Sequence, residues 1–409
     1  MSDAELSTAT SGASFSGLLE RSRPAVICLF YSACVLMIAW TAKPFYNGDL
    51  IGYMGTAKSW ELAGPEAIQK DTYAELKAHA PPNAYNDMMN ASVPDSLQYK
   101  IAADPEIFRQ ILTAYQVRPL YPALIAVVDS LGSNMVDASV LVSKAAYVGI
   151  GILLLVWLSR LLPMVTAAIV GALIMALPMN IQLAQCSTPD ALSFFFYLLA
   201  IYFAVEKKSF AIALLIEAVA ITARQDNIIF FGMLSLWALL VSRERKTLLL
   251  PLMAAGVAIY FTLKWWTGYY SYQALFYMAF IDTMLHPLDF DQTVSLAVHV
   301  EVVVNRALVS LGLLPHHGTG LKKLDPFFPF VALNLMLLVY AREGLRRYRP
   351  YAILAFVNAG NLLVHYLLFP ISSPRFVDGM YIVTLISLLA LFGRAAPSRV
   401  EAGFRASVP

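Results

Sequence analysis

Charge is what this chain has least of. Lys, Arg, Asp and Glu make up 14% of its 409 residues, against about 25% in an ordinary soluble domain. With 59% apolar residues and a mean hydropathy of +0.63, most of the chain is dissolved in lipid. The net charge of +2 is no sign of a nucleic-acid partner, and none is expected, because the basic residues are dispersed among loops. Cysteine is scarcer still. Cys28 and Cys34 share one apolar run and Cys186 stands alone, so neither a disulfide framework nor a metal spacing can be built from them.

What is there in quantity is apolar runs. A helix crosses the hydrocarbon core with about 20 predominantly apolar residues. The run Pro24 to Ala42 follows Arg21 and Arg23; it exceeds the roughly 7–15 residues of a signal-peptide core and lacks a small-x-small cleavage site. It reads as an uncleaved first transmembrane helix, with 1–23 a cytoplasmic tail whose Ser-, Ala- and Thr-rich start is disordered. Further spans are expected at 138–158, 161–179, 190–206, 208–223, 227–242, 247–264, 326–341, 350–369 and 377–393. Backbone groups in lipid must be satisfied internally, and the runs lack the alternation of barrel strands. The expected fold is therefore an all-α polytopic membrane protein with about ten transmembrane helices.

Basic residues fix the expected direction. Short loops with Arg160, with Lys207 and Lys208, with Arg243, Arg245 and Lys246, and with Arg342, Arg346, Arg347 and Arg349 belong in the cytoplasm. The alternate connections at 180–189, 224–226 and 370–376 are almost free of basic residues, Arg224 and Arg375 excepted. Both termini, including the tail 394–409, are then cytoplasmic.

Two regions are expected outside, 43–137 and 265–325. The first mixes Pro, Asn, Tyr and charge over 43–118 and reads as a cap of short helices. Residues 120–128 come next as a helix along the external surface. The second opens with Trp265-Trp266 and Tyr269, Tyr270 and Tyr272, an interfacial aromatic belt. Its stretch 296–314 is interrupted by His299, Glu301, Asn305 and Arg306 and reads as an amphipathic or re-entrant helix. A true span there would bring Lys322 and Lys323 inside and invert the last three spans.

The charges at the external ends of the spans carry the chemistry. An ionisable group at such a position marks a functional site by default. Asp49, in Tyr46-Asn47-Gly48-Asp49-Leu50-Ile51-Gly52-Tyr53, suits a general base or a metal ligand, and equally a helix cap. Its flanking glycines permit a sharp turn. Asp190 follows Pro189 at a span start, where an acid favours the helix dipole whatever else it does. Arg224 and Asp226 join two spans with almost no loop; they can pair with each other, or Arg224 can hold a phosphate through bidentate donors. Glu217 lies seven residues earlier on the same helical face. Arg118, in Arg118-Pro119-Leu120-Tyr121-Pro122, and Arg375, in Ser373-Pro374-Arg375, suit either headgroup anchoring or substrate binding. His316-His317 lacks metal-ligand geometry and reads as loop.

This order of elements resembles the membrane-embedded C-type (GT-C) glycosyltransferases, specifically the bacterial protein-mannosyltransferase-like and lipid A aminosugar-transferase-like group. The resemblance rests on one span, an acid soon after it (Asp49), a long external loop, Arg118-Pro119-Leu120-Tyr121-Pro122, the span-opening Asp190, the Arg224-x-Asp226 junction and a late Arg375. It implies a GT-C-like bundle in the bacterial inner membrane. It also implies inverting transfer of a hexose or pentose from a polyprenyl-phosphate donor to a glycan, lipid or protein acceptor at the external face. By position, Asp49 would be the acceptor-activating base. Arg118, Arg224 and Arg375 would hold the donor phosphate. Asp190 and Asp226 would orient the acceptor or the arginines. Tyr46, Tyr53 and Tyr121 suit stacking on sugar rings, though interfacial anchoring is the commoner reason for such residues. No cofactor is implied beyond a divalent metal (Mg or Mn) in metal-dependent members, for which Asp49 and Asp190 are the candidate ligands. Protein mannosyltransferases often carry adjacent acids in the first loop; here Leu50 follows Asp49, which argues against a protein acceptor. No glycine-rich Rossmann unit is present, so a soluble nucleotide-sugar enzyme is excluded.

Two other classes compete. A secondary transporter would use an acid–arginine relay, normally near the bilayer midplane, where only Glu217 lies. A non-catalytic envelope-assembly protein would use the external loops to bind partners.

Overall fold

The structure, a computed structural model, describes residues 15–89, 93, 96–282, 284–314, 327–345, 349–371 and 373–393. The start of the expected tail, His316, His317, Lys322, Lys323 and the segment 394–409 lie outside the described residues. Among those described, every regular element is helical, and the one extended pairing is an isolated bridge between Phe45 and Cys186.

Helix α1 (Phe15–Thr41) leads into the first cap-like region. That region folds into α2 (Asp49–Lys58), α3 (Pro65–His79), α4 (Pro82–Met89), α5 (Leu97–Ala103) and α6 (Pro105–Gln116). Local chemistry starts these helices where they start. Pro65, Pro82 and Pro105 each open one, as proline's fixed φ and missing N–H favour. Asp104 caps α6 by accepting from the N–H groups of Glu106 and Ile107 at 2.8 and 3.3 Å. The cap is pinned through Glu75. One of its oxygens accepts from Lys58 Nζ at 2.7 Å and the other from the Met135 N–H at 3.0 Å. After α6 the chain turns by 100° into α7 (Leu120–Ser130).

The apolar bundle comes after the cap. It comprises α8 (Met135–Leu158), α9 (Met164–Met175), α10 (Pro178–Gln185), α11 (Asp190–Val205), α12 (Phe210–Ala223), α13 (Asn227–Val241) and α14 (Lys246–Thr267). Next come α15 (Tyr272–Phe280) and α16 (Leu296–Ser310), then α17 (Phe327–Gly344), α18 (Arg349–Leu368) and α19 (Asp378–Gly393). Each of the ten apolar runs contains a helix. By length and composition four of them, α1, α8, α14 and α18, can cross a membrane, and the bent pairs α6–α7 and α9–α10 raise this to six. The apolar helices α11, α12, α13 and α19 have 14 to 16 residues. At ~1.5 Å per residue they reach about 21–24 Å, short of a hydrocarbon core of about 30 Å, so any of them that spans needs the bilayer thinned around it or flanking residues that snorkel.

The run 161–179 is not one helix. It breaks at Leu177-Pro178, with α9 and α10 meeting at 68°. Proline cannot donate to the preceding turn and disfavours helix in the residue before it, so the break was written in the sequence. The segment 296–314 is helical over Leu296–Ser310, as expected. On the outside of the bundle, Leu29, Phe30, Trp40, Leu240 and Trp265 are all more than 70% exposed, an apolar surface far beyond that of a soluble monomer.

Candidate functional site

The antiparallel run of α11, α12 and α13 brings Asp190, Arg224 and Asp226 to one end of the bundle. Arg224 is a single extended residue (φ −148°, ψ 122°) between two helices. Asn227 closes the junction: its side-chain amide donates to the Ala220 carbonyl at 2.8 Å and to Ser193 Oγ of α11 at 2.9 Å. The α18–α19 connection ends in a 3-10 turn, Pro374–Phe376, which delivers Arg375 to the same place. Asp49 arrives from the other side. Its approach is fixed by the Phe45 N–H donating to the Gln185 carbonyl at 2.8 Å, just ahead of the loop that holds Asp190.

Gly48 does not turn the chain sharply, as the flanking glycines suggested; its backbone is helical (φ −58°, ψ −21°). Gly52 is the glycine that matters, for a different reason. A β-carbon there would sit 2.3 Å from the Tyr115 ring. The missing side chain lets α6 lay Tyr115 against α2, where its hydroxyl donates to Asp49 Oδ1 at 3.1 Å.

The charges form one connected set. Arg375 Nη2 donates to Asp49 Oδ2 at 2.8 Å, and its Nε lies 3.6 Å from Asp190 Oδ2. Arg224 grips Asp226 with two bonds, Nε to Oδ1 at 3.0 Å and Nη2 to Oδ2 at 2.7 Å, and donates through Nη1 to Asp190 Oδ1. Thr188 Oγ1 donates to Asp190 Oδ2 at 2.7 Å. Both guanidinium centres lie 4.8 Å from the centre of the Phe376 ring, so one aromatic ring attracts two like charges. For Asp49, burial opposes ionisation, but Arg375, Arg118 and the Tyr115 hydroxyl outweigh it and hold the carboxyl below its ordinary value. Asp226 is likewise held well below, burial being overcome by Arg224 and His365.

Arg118 stands differently. It sits at the bend between α6 and α7, with Nη1 donating to Tyr53 OH at 3.0 Å. No carboxylate pairs with it among the described residues, and its buried Nε has no hydrogen-bond partner. Lys264 faces the same space, within 5.5 and 5.2 Å of the Tyr260 and Tyr269 ring centres.

These groups line a cavity of about 330 Å³, within the range of small-molecule sites. Four cations (Arg118, Arg224, Lys264, Arg375) and three carboxylates (Asp49, Asp190, Asp226) are in its lining. Ile228, Ile229, Leu275, Met278, Leu368 and Phe369 make the rest largely apolar. Six of the seven residues expected at the site meet here. Tyr121 does not line the cavity: it is fully buried behind Tyr53, with its hydroxyl donating to the Ser139 carbonyl at 2.8 Å. Glu217 is fully buried and neither of its oxygens has a hydrogen-bond partner among the described residues, so Arg224 is oriented by Asp190 and Asp226 instead.

Several participants were not foreseen. His365 of α18 is buried, with Nε2 3.2 Å from Asp226 Oδ2. Phe376, Tyr115, Lys264 and Tyr270 also line the cavity. The chain matches no protein-family profile, no curated protein and no solved structure.

Asp49 and Asp190, the carboxylates expected to hold any divalent cation, are engaged with protein donors. Both Asp49 oxygens and both Asp190 oxygens already accept from protein donors, Arg375 and Arg224 among them. Among the described residues no three His, Cys, Asp or Glu side chains come together as a ligand set.

Proposed function

We propose that this chain is an integral-membrane glycosyltransferase of the GT-C type, with about ten transmembrane helices. It transfers a sugar from a polyprenyl-phosphate donor to an acceptor at the external face of the bacterial inner membrane, with both termini cytoplasmic. The observation that carries this reading is Arg118. Every cavity carboxylate is in direct contact with Arg224 or Arg375, while Arg118 lines the cavity with no carboxylate in direct contact among the described residues. A cavity lined by both cations and apolar side chains suits an amphiphile whose head is a phosphate.

In this reading the phosphate is held by Arg118 and Lys264, and the isoprenoid chain runs past Leu368 and Phe369. Arg224 is a brace that fixes Asp190 and Asp226. Asp49 is the base. It takes the acceptor hydroxyl proton as the acceptor oxygen bonds to the anomeric carbon. The bond from that carbon to the phosphate oxygen breaks, its electron pair leaves with polyprenyl phosphate, and the configuration inverts. Arg375 couples the two halves. While it grips Asp49 the carboxylate is a weak base; a phosphate that draws Arg375 away strengthens the base and gains a second guanidinium. Preorganised cations of this kind act where negative charge develops.

The test is turnover of a panel of radiolabelled polyprenyl-phosphate sugars by purified protein in nanodiscs, with membrane extract as acceptor source. Wild type releases polyprenyl phosphate from at least one donor, and Asp49→Asn, still folded, does not. Equal release by both proteins removes Asp49 as the base; no release from any donor removes the reading.

One observation favours a second reading. Glu217, isolated and buried in α12, is the kind of intramembrane acid that a proton-coupled transporter uses.

A further inference from the structure

The helices that carry the candidate site at one end enclose a second cavity at the other. α11 and α13 finish there, and α12 and α18 begin there, around a space of about 710 Å³. Trp237, Leu240 and Ile353 form an apolar wall, and Lys208, Arg243 and Arg349 face it with positive charge. The one carboxylate in the lining, Glu244, is already engaged, accepting from the Ala211 N–H at 2.8 Å.

One feature marks this lining as more than a solvated loop. Trp237 is only 4% exposed, yet its buried indole N–H has no acceptor among the described residues, an uncommon state for a buried donor. Lys208 reaches the cavity from the turn that ends α11, where its left-handed backbone (φ 55°) terminates the helix.

We propose that this cavity binds an anionic phospholipid from the leaflet opposite the candidate site. The phosphodiester lies against Arg243, Arg349 and Lys208, and an acyl chain follows Leu240, which is 73% exposed on the bundle surface. Guanidinium and ammonium groups at interfacial depth recognise lipid phosphate. The apolar wall selects a lipid over a soluble anion, because only a lipid covers it. A choline headgroup is disfavoured by its own cation beside three others. The inference rests on the helices crossing a bilayer and is independent of any sugar-transfer chemistry.

The test is native mass spectrometry of the full chain, delipidated and titrated with equal phosphatidylglycerol and phosphatidylcholine. The expected result is preferential retention of one phosphatidylglycerol. That preference should fall about fivefold per cation removed in Lys208→Gln and in Arg243→Gln/Arg349→Gln, with unchanged melting temperature. Arg160→Gln, an exposed cation away from the cavity, should leave it intact. Equal retention of both lipids by wild type would overturn the proposal. So would a preference that survives both cavity variants, or one that Arg160→Gln lowers as much. Displacement of the lipid by millimolar inorganic phosphate would assign the cavity to a soluble anion instead.

Discussion

Arg375 Nη2 donates to Asp49 Oδ2 at 2.8 Å across 326 positions of sequence. This one contact ties the segment after α1 to the turn before α19 and joins Asp49 to the chain of ion pairs that runs through Asp190 and Arg224 to Asp226. Arg375→Gln should leave the fold intact and lower turnover by about 10²–10³, the usual loss for one preorganised donor. Arg375→Lys should recover only part of it, because an ammonium cannot span Asp49 and Asp190 as a guanidinium does. Initial rates on a donor accepted by wild type check this; full activity in Arg375→Gln removes the coupling role.

Gly52 is expected to be intolerant for a reason of space alone. Gly52→Ala drives a β-carbon into the Tyr115 ring and should cost about 1–3 kcal/mol, the usual range for overpacking. Tyr115→Ala should rescue stability in the double variant without rescuing activity. Melting temperatures of the four proteins in one detergent test it. Additive losses would mean that the two residues are not in contact.

The acid limb of stability comes from Asp49 and Asp226. Both titrate below their unfolded value of about 4 when folded. A depressed folded pKa contributes stability that is complete above the unfolded value and is lost as pH falls through the folded one. Melting temperature should therefore hold from neutrality to about pH 5 and decline below about pH 4. Asp49→Asn should show a shallower decline. An identical acid limb in the variant would show that Arg375 does not stabilise the carboxylate.

Glu217 separates the two functional readings. A buried carboxyl without a partner is costly, and an apolar residue of similar size in its place is often neutral or stabilising. Glu217→Leu should melt at or above the wild-type temperature and keep its turnover. Loss of substrate uptake into proteoliposomes in a stable Glu217→Leu protein would favour the transporter.

The helical order and most of the site were legible because both depend on local rules. Apolar length marked a helix in each of the ten runs. Asp49, Arg118, Asp190, Arg224, Asp226 and Arg375 stand at or beside the ends of helices, and the connections there bring them to one cavity. The break inside 161–179 was equally local, and Pro178 is its signal. What escaped depends on packing between distant segments. His365 lies within an otherwise apolar span, and nothing in its spacing says that it faces Asp226. Phe376 acts only because two arginines from different junctions arrive on its ring. Tyr121 was drawn toward the site by its neighbour Arg118, but helix α7 turns the two side chains to different places.

The central claim is that the cavity takes a lipid-linked phosphate at Arg118. The most direct measurement is equilibrium binding of polyprenyl phosphate and of uncharged polyprenol to detergent-solubilised wild type and Arg118→Gln, which needs no acceptor. Wild type should prefer the phosphate by at least about tenfold, a charge-assisted contact of roughly 1.5–3 kcal/mol. Arg118→Gln should lose most of that preference while still binding polyprenol. Equal affinity of wild type for the two lipids, or an undiminished preference in Arg118→Gln, would contradict it.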